Sequence, residues 1–182
     1  MKDLDLIDVV SAGDVATTHL RIEKALREYS DGGARVFVLN GFNNGISGPH
    51  DSDFEGETWR DDFRLVDIYR DLEKEVDPTV LYARNTIENG LGLRNIVYGK
   101  DWDIETVTSK THLSRLKKMY WYVFPDGEFE KLSFVGSKEP SYLKNFAKET
   151  VKNLMLPKLM SGIKRGFWDV DKQYAAKRYG EK

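Results

Sequence analysis

The sequence predicts an α/β fold of the Rossmann-like kind, a three-layer sandwich with a mainly parallel sheet of about five strands. Two observations lead to this prediction. Short apolar and β-branched segments alternate with longer segments of helical periodicity along the chain. Polar residues cluster directly after several of the predicted strands, which is where sheets of this kind bind ligands.

The predicted strands are short, and the first one ends in small residues. Residues 4–10 read as a buried strand that runs into the tight loop Ser11-Ala12-Gly13. Four further segments have the composition of strands, namely 36–39, 79–82, 104–108 and 129–135.

Helical periodicity separates these strands. Leu20, Ala25, Leu26 and Tyr29 recur near helical spacing after the first strand, and the turn residues 31–33 end that helix. Further helices are predicted over 59–72, 87–96, 113–122 and from 142 onward, with a break at Pro157.

Composition and charge limit the classes of protein that the chain can belong to. Its 182 residues, with 40% hydrophobic and 32% charged residues, suit one soluble domain over 1–182. The absence of cysteine excludes disulfides, thiolate metal sites and a cysteine nucleophile. A formal net charge of −2 gives no reason to expect nucleic acid as a partner. Because the N-terminus carries no secretory signal and no apolar run approaches the roughly 18–20 residues of a membrane span, we expect a cytoplasmic protein without a membrane partner.

Two segments depart from the alternation of strand and helix. Residues 40–56 are rich in Asn, Gly, Ser, Pro and Asp, and a connection of this length is typical of a mobile binding loop or lid. Residues 157–182 contain seven Lys or Arg against three acidic residues. We interpret this segment as a basic C-terminal helical extension with a solvated face.

Four polar segments lie after predicted strands or in the loops beside them: 11–14, 40–57, 83–89 and 108–115. In the third segment Thr86 is a candidate helix cap, and Glu88 would favour the helix dipole. These structural roles leave Arg84, Asn85 and Asn89 unexplained. In the fourth segment the hydroxyls of Thr108 and Ser109 precede a helix start, where an anion can bind.

The same residues carry a resemblance to a known family. Arg21, Ala25 and Tyr29 on the first helix, Glu57 in the long loop, and the segments 84–89 and 107–115 follow its motifs in order. The chain thereby resembles the domain-of-unknown-function family typified by the bacterial proteins YdcF, SanA and ElyC. The match covers roughly residues 6–135, and the last two motifs, Arg-Asn-Thr-x-Glu-Asn and Val-Thr-Ser-x-x-His-x-x-Arg, are its most specific part.

The resemblance has implications for both fold and ligand. It implies a Rossmann-like fold, and binding of S-adenosylmethionine is associated with YdcF. The membrane anchor of SanA-like and ElyC-like members has no counterpart in the sequence, so the soluble, YdcF-like branch is expected. The chain departs from the pattern at Ala83, where the family usually has serine, and at Thr58, where it has alanine. The opening loop 11–14 is also less rich in glycine than that of the family.

From these residues we predict one cleft and assign roles within it. The candidate catalytic residues are His112, Glu57 and Arg84, with His112 as proton donor or nucleophile and Glu57 as base or partner of His112. If Arg21, Arg84 and Arg115 converge, their guanidinium groups suit phosphate or carboxylate oxygens. The alternative is that each arginine pairs with a nearby acid and only ties loops together, an interpretation that we favour for Arg21 alone. The candidate ligand-binding residues are Ser11, Gly13, Asp14, Arg21, Asn85, Thr86, Glu88, Asn89, Thr108, Ser109 and Arg115.

Two function classes follow, and a structural or partner-binding role stays open as a third. The first is an enzyme that acts on a phosphate ester or nucleotide, by hydrolysis or phosphoryl transfer. The second is a protein that binds S-adenosylmethionine or another nucleotide-like cofactor, as a transferase or sensor. In both classes the partner would be a small anionic or nucleotide-like molecule. We predict no metal site, since the oxygen ligands that could hold Mg²⁺, at Asp14, Asp51, Asp53 and Glu57, follow no recognised spacing. The oligomeric state is not predicted.

Overall fold

A computed structural model describes residues 4–12, 15–41, 72, 76–81, 83, 85–167 and 169–179. The strands in these ranges are β1 (Leu6–Val10), β2 (Val36–Asn40), β3 (Pro78–Leu81), β4 (Ile104–Ser109) and β5 (Leu132–Ser137). The helices are α1 (Val15–Gly32), α2 (Thr86–Val97), α3 (Leu113–Val123), α4 (Asp126–Phe129), α5 (Tyr142–Met160) and α6 (Val170–Tyr179).

The strands form one sheet in the order β3-β2-β1-β4-β5, and every neighbouring pair is parallel. This is the open parallel sheet that the alternation of strands and helices predicts. All five residues of β1 are buried, as expected for the central strand of a sheet that is covered on both sides.

Two apolar cores lie on opposite faces of the sheet. Ile7 and Val9 of β1 pack in one core with Ile22 of α1. Leu6 and Val10 point to the other face and pack in a core formed with α2, α3, α5 and α6. Helices therefore cover both faces, and the predicted Rossmann-like sandwich is confirmed.

The first helix ends as predicted, whereas two other boundaries differ from the prediction. Gly33 has a φ of +65° and donates its N–H to Tyr29 O at 3.1 Å, which closes the last turn of α1. The strand predicted from residue 129 begins instead at Leu132, because residues 126–129 form the short helix α4 behind Pro125. Sequence reasoning missed α4 because a single turn has no periodicity to detect.

The break predicted at Pro157 was wrong, since α5 continues through it to Met160. Leu156 and Met160 are buried in the core on the inner side of the helix. Their burial holds the last turn in place and offsets the main-chain hydrogen bond that proline cannot donate.

The predicted loop 40–56 and the predicted helix 59–72 cannot be compared with the structure. Residues 42–71 and 73–75 lie outside the described part of the chain, and the prediction of a mobile cover concerns most of them. Leu72 and Val76 are described, and both are buried in the core on the α1 face.

A buried carboxyl group interrupts the apolar pattern of β1. Asp8 is fully buried and points to the same face as Leu6 and Val10. It accepts hydrogen bonds from Asn40 Nδ2 at 2.8 Å and from Tyr120 Oη at 3.4 Å. Burial raises the pKa of Asp8 to about 7, although hydrogen bonds from Asn40, Thr106 and Tyr120 act in the opposite direction. The same burial raises the pKa of the Tyr120 hydroxyl well above its ordinary value.

We expect Asp8→Asn to stabilise the protein above pH 7, by on the order of 4 kcal/mol. The folded state holds the Asp8 proton to a higher pH than the unfolded chain does, so the contribution of Asp8 to the stability of the native protein falls as the pH rises from about 4 to about 7. The asparagine amide stays neutral over this range and still accepts from Asn40. The measurement is the free energy of unfolding by urea at several pH values between 3.5 and 8.5, the span that brackets both ends of the titration.

The advantage of Asp8→Asn should disappear below about pH 4, where the aspartic acid is protonated in both states. Asp77→Asn, at an exposed position before β3, is the matched control for the loss of one carboxylate. A gain in stability that is the same at pH 3.5 and pH 8.5 would contradict the role assigned to the Asp8 proton.

Candidate functional site

The order of the strands locates the crevice where a sheet of this kind binds ligands. The chain moves outward from β1 through β2 and β3 on one side, and from β4 to β5 on the other. The switch point therefore lies between β1 and β4, at their carboxyl ends. Ser11 follows β1 there, and Ser109 ends β4.

Arg21 of α1 bridges the two strand ends across this switch point. Its Nη1 donates to Val10 O and to Ser11 O, both at 2.6 Å, and its Nη2 donates to Ser109 Oγ at 2.6 Å. The residue is only 4% exposed. Arg21 thus ties the first and fourth strands together through carbonyl and hydroxyl oxygens, and it adds a buried positive charge to the site. The pairing with a nearby acid that we favour for it on sequence grounds stays a prediction.

The loop after β1 is fixed to the loop after β2. Ser11 Oγ donates to Gly41 O at 2.7 Å, and the Ala12 N–H donates to Thr18 Oγ1 at 3.1 Å. Gly41 has a φ of +77°, and a Cβ atom there would lie 2.7 Å from Asn89 Oδ1 and 2.8 Å from Ser11 Oγ. Glycine is therefore required at this position, both for the backbone conformation and for the close approach of the two side chains.

His112 stands at the N-terminal end of α3, and Glu149 of α5 faces it. Glu149 Oε2 accepts from Arg115 Nε at 2.6 Å and lies 3.3 Å from His112 Nδ1. Arg115 Nη2 lies 2.9 Å from the same Nδ1 atom and 3.3 Å from Glu149 Oε1. Lys152 Nζ completes the cluster with a bond of 2.9 Å to Glu149 Oε1. One carboxylate thus holds an imidazole and two cations.

The electrostatics of this cluster keep His112 neutral. Burial lowers the pKa of His112 to about 4, and the charges of Arg115 and Arg21 act in the same direction, whereas Glu149 opposes them. Nδ1 lies within hydrogen-bond distance of both Arg115 Nη2 and Glu149 Oε2. In the tautomer with the proton on Nε2, Nδ1 accepts from Arg115; in the other tautomer, Nδ1 donates to Glu149. Burial raises the pKa of Glu149, but the hydrogen bonds from His112 and Arg115 and the charge of Arg115 outweigh it and hold that pKa well below its ordinary value.

Arg115 also connects α3 to the loop after β3. Its Nη1 lies 3.4 Å from Thr86 Oγ1 in the first turn of α2. The predicted capping role of Thr86 was wrong, since Asn85 is the N-cap and its Oδ1 accepts from the N–H groups of Ile87 at 2.9 Å and Glu88 at 3.0 Å. Asn85 Nδ2 also lies 3.3 Å from Asp171 Oδ1 of α6. The side chain of Asn85 is thus used within the protein.

The structure brings several of the predicted site residues together. Arg21 contacts Ser11 and Ser109, while Arg115 contacts His112 and Thr86. The charge of Arg21 acts on His112, which links the two groups electrostatically. Thr108 and Asn89 are buried, and their oxygens Oγ1 and Oδ1 have no hydrogen-bond partner among the described residues. Glu88 lies half-buried in the first turn of α2.

Other predicted residues lie outside the described part of the chain. These are Gly13, Asp14, Glu57 and Arg84, together with the weak Mg²⁺ candidates Asp51 and Asp53. Their assignments stay predictions. Among the described residues, no cluster of three His, Asp or Glu side chains could hold a metal ion. No helix in the described ranges is both long and apolar enough to cross a membrane.

Sequence reasoning missed three polar residues that the structure places around the site. Glu149 lies in a lysine-rich helix, 37 positions after His112, and nothing local marks it as the partner of that histidine. Asp8 and Asn40 had a readable signal, because each interrupts or ends an otherwise apolar strand. Asn40 Nδ2 donates both to Asp8 Oδ1 and to Asn89 O, so its side chain is committed to the core.

Comparison of the chain with protein-family models, curated proteins and solved structures finds no match. The resemblance described from the sequence motifs therefore stays a prediction. The chemistry of the site has to be argued from its own residues.

The pKa of His112 should respond in opposite directions to the loss of its two neighbours. We expect a value of about 4 in the unmodified protein, a higher value in Arg115→Met and a lower one in Glu149→Gln. Arg115 disfavours the imidazolium by repulsion, whereas Glu149 favours it by attraction. Titration of the imidazole by NMR, with the resonances of His19 and His50 assigned by substitution, measures all three values. A shift in the same direction in both variants would contradict the assignment.

Proposed function

We propose that the protein is an enzyme that binds a small phosphorylated or nucleotide-like molecule at the carboxyl edge of its sheet. The proposed reaction is hydrolysis of a phosphoester or transfer of a phosphoryl group. One observation carries the proposal: His112, buried beside the switch point, experiences the charges of two guanidinium groups and one carboxylate. The resulting positive potential favours an anion at this place.

The donors available at the site suit the oxygens of a phosphate. With Arg115 bonded to Nδ1, the neutral imidazole offers an N–H at Nε2. Arg115 itself offers a planar fork whose Nη1 has two long contacts, 3.4 Å to Thr86 Oγ1 and 3.7 Å to Met119 Sδ. The hydroxyl of Thr108 has no partner among the described residues. The side chains of Arg21 and Ser109 are bonded to each other and thereby fix the strand end beside the site.

His112 has two states that suit two steps of such a reaction. While Arg115 donates to Nδ1, the ring is a hydrogen-bond donor at Nε2. If the anion draws Arg115 Nη2 away, the ring can exchange protons with water, losing the one on Nε2 and gaining one on Nδ1, which then donates to Glu149 Oε2, 3.3 Å away. The lone pair is then on Nε2, which can accept the proton of a water that attacks phosphorus. As the ester bond to phosphorus breaks, the same proton passes from Nε2 to the oxygen of the leaving alcohol. In this mechanism Glu149 orients His112, as the acid of a catalytic triad orients its histidine.

Nothing in the described site favours the alternative, a cofactor binder for S-adenosylmethionine. Cofactor sites of this fold use a carboxylate near the end of β2 to bind ribose hydroxyls. Here β2 ends at Asn40, whose amide is committed to Asp8 and Asn89. Binding of S-adenosylmethionine is therefore tested as one outcome of the experiment described next. The same experiment is carried out with and without Mg²⁺.

The test is a screen of nucleoside monophosphates and small sugar phosphates for released phosphate, with and without Mg²⁺. We expect release from at least one of them, and a loss of kcat of about 10²–10⁴-fold in His112→Gln, since that is the usual contribution of general acid–base catalysis. Glu149→Gln should lower kcat more than it changes KM, because it removes the group that orients His112. Arg84→Ala should weaken both binding and turnover.

The matched control is His19→Gln, at a half-buried histidine on α1. The Nε2 atom of His19 lies 2.9 Å from Glu23 Oε1, so this histidine also has a carboxylate neighbour. It should retain full activity. Equal loss in His19→Gln and His112→Gln, at equal thermal stability, would contradict the assignment of His112. No phosphate release from any compound, together with saturable binding of S-adenosylmethionine, would replace the proposal by the cofactor-binding alternative.

A further inference from the structure

The outer face of α5 exposes an unusual amount of apolar surface. Six large apolar side chains of this one helix are between 47% and 81% exposed: Tyr142, Leu143, Phe146, Val151, Leu154 and Met155. Leu143 and Leu154 are the most exposed, at 81% and 77%. Large exposed patches of this kind mark sites of interaction in soluble proteins.

Three of these side chains form a second apolar face, distinct from the one that packs on the core. Glu149, Leu156 and Met160 are the buried residues of α5, and they share its inner side. At 100° per residue, Leu143, Phe146 and Leu154 lie together on an adjoining side of the helix. The sequence of α5 thus encodes two apolar stripes, of which the described residues cover one.

The exposed stripe borders a groove between α3 and α5. The groove has a volume of about 340 Å³. Tyr142, Phe146 and Leu154 line it on the side of α5, and Lys110 and Lys118 line it on the side of α3. The wall of α5 combines these apolar side chains with the polar residues Glu149, Thr150 and Asn153, and the opposite wall carries two lysines.

The exposed charges beside the groove are mostly positive, although Glu149 lines the groove and Glu139 accepts from its lining residue Thr111. α3 contains no acidic residue, and the only acid of α5 is Glu149, which is buried and bonded to Arg115 and Lys152. The exposed charges of α5 come from Lys144, Lys148, Lys152 and Lys158. The lysines thus flank the apolar stripe on both sides.

We propose that the groove between α3 and α5 is the docking site for an acidic amphipathic helix of a partner protein. Such a helix would place apolar residues at spacings of three, four and seven against Phe146, Leu143 and Leu154. Its Asp and Glu residues would meet the lysines on either side, which also speeds association. A second copy of this chain fits poorly, because pairing α5 with α5 would bring lysine rows together. A flat membrane surface would leave the groove between the helices unfilled.

The probe for the experiment is a labelled synthetic peptide of about 18 residues, long enough to match α5. It carries Leu at helical spacing on one face and Glu on its flanks. A second peptide has Lys in place of Glu, and a third has the first composition in scrambled order. We expect saturable binding of the first peptide by fluorescence anisotropy, weaker binding at higher salt, and little binding of the other two.

Two double variants test the exposed apolar stripe of α5 and the lysines on the opposite side of the groove. Leu143→Ser with Leu154→Ser, and Lys110→Glu with Lys118→Glu, should each weaken binding by at least about tenfold. The controls are Tyr98→Ser, at another exposed aromatic residue, and Lys177→Glu, at an exposed lysine of α6. Both controls should bind as the unmodified protein does. Because all six positions lie at the surface, thermal unfolding should be nearly unchanged in every variant.

Three outcomes would overturn the proposal. The first is the absence of saturable peptide binding, or an equal loss in the control variants. The second is binding of the protein to vesicles that contain anionic lipid, without binding of the peptide. If the same double variants abolish that vesicle binding, the face is a membrane-binding surface. The third is self-association in sedimentation experiments that Leu143→Ser with Leu154→Ser removes, which would make it an interface between copies of this chain.

Discussion

The buried guanidinium group of Arg21 joins the two strand ends that flank the switch point of the sheet. Burying a cation is costly unless its hydrogen-bond donors find partners, and here the carbonyls of Val10 and Ser11 and the hydroxyl of Ser109 provide them. These three groups fix the points where the chain leaves β1 and β4. The position of His112, three residues after Ser109, follows from that constraint, as does the start of α3. The site is therefore built on strand ends held in a fixed relation.

The fold could be predicted because its determinants are local and periodic. The run 6–10 is apolar enough to indicate a central strand, and the glycine at 33 ends α1 where the turn requires it. The errors occurred where tertiary packing overrides a local rule. Pro157 should end a helix, but the burial of Leu156 and Met160 keeps the last turn of α5 in place. Thr86 is a good capping residue in isolation, yet Asn85, one position earlier, takes that role.

The candidate site could be predicted only in part. Parallel strands bring their carboxyl ends to one edge, so the sequence predicts that the segments after β1, β3 and β4 lie near one another. The partners of those residues could not be read from the sequence, since the pairing of His112 with Glu149 depends on how α5 packs on α3. The same packing brings Arg115 to Glu149, which is its main partner. From the sequence alone, Arg115 could equally converge with the other two arginines of the predicted site. The sequence indicates which residues reach the edge of the sheet, and packing decides which of them face one another.

The two buried ionisable groups oppose each other in their effect on stability. Asp8 holds a proton in the folded state up to about pH 7, so acidification from neutral pH favours the folded protein through this group. In the folded state His112 stays neutral down to about pH 4, whereas in the unfolded chain it is protonated below about pH 6.5. Through this group, acidification therefore favours the unfolded state. Between about pH 4 and pH 6.5 the folded chain carries the Asp8 proton and the unfolded chain carries the His112 proton. The two contributions largely cancel in the unmodified protein, because the net proton uptake on unfolding is small. The stability of the unmodified protein in this range therefore says little about either group, and only variants that remove one of them reveal what each contributes.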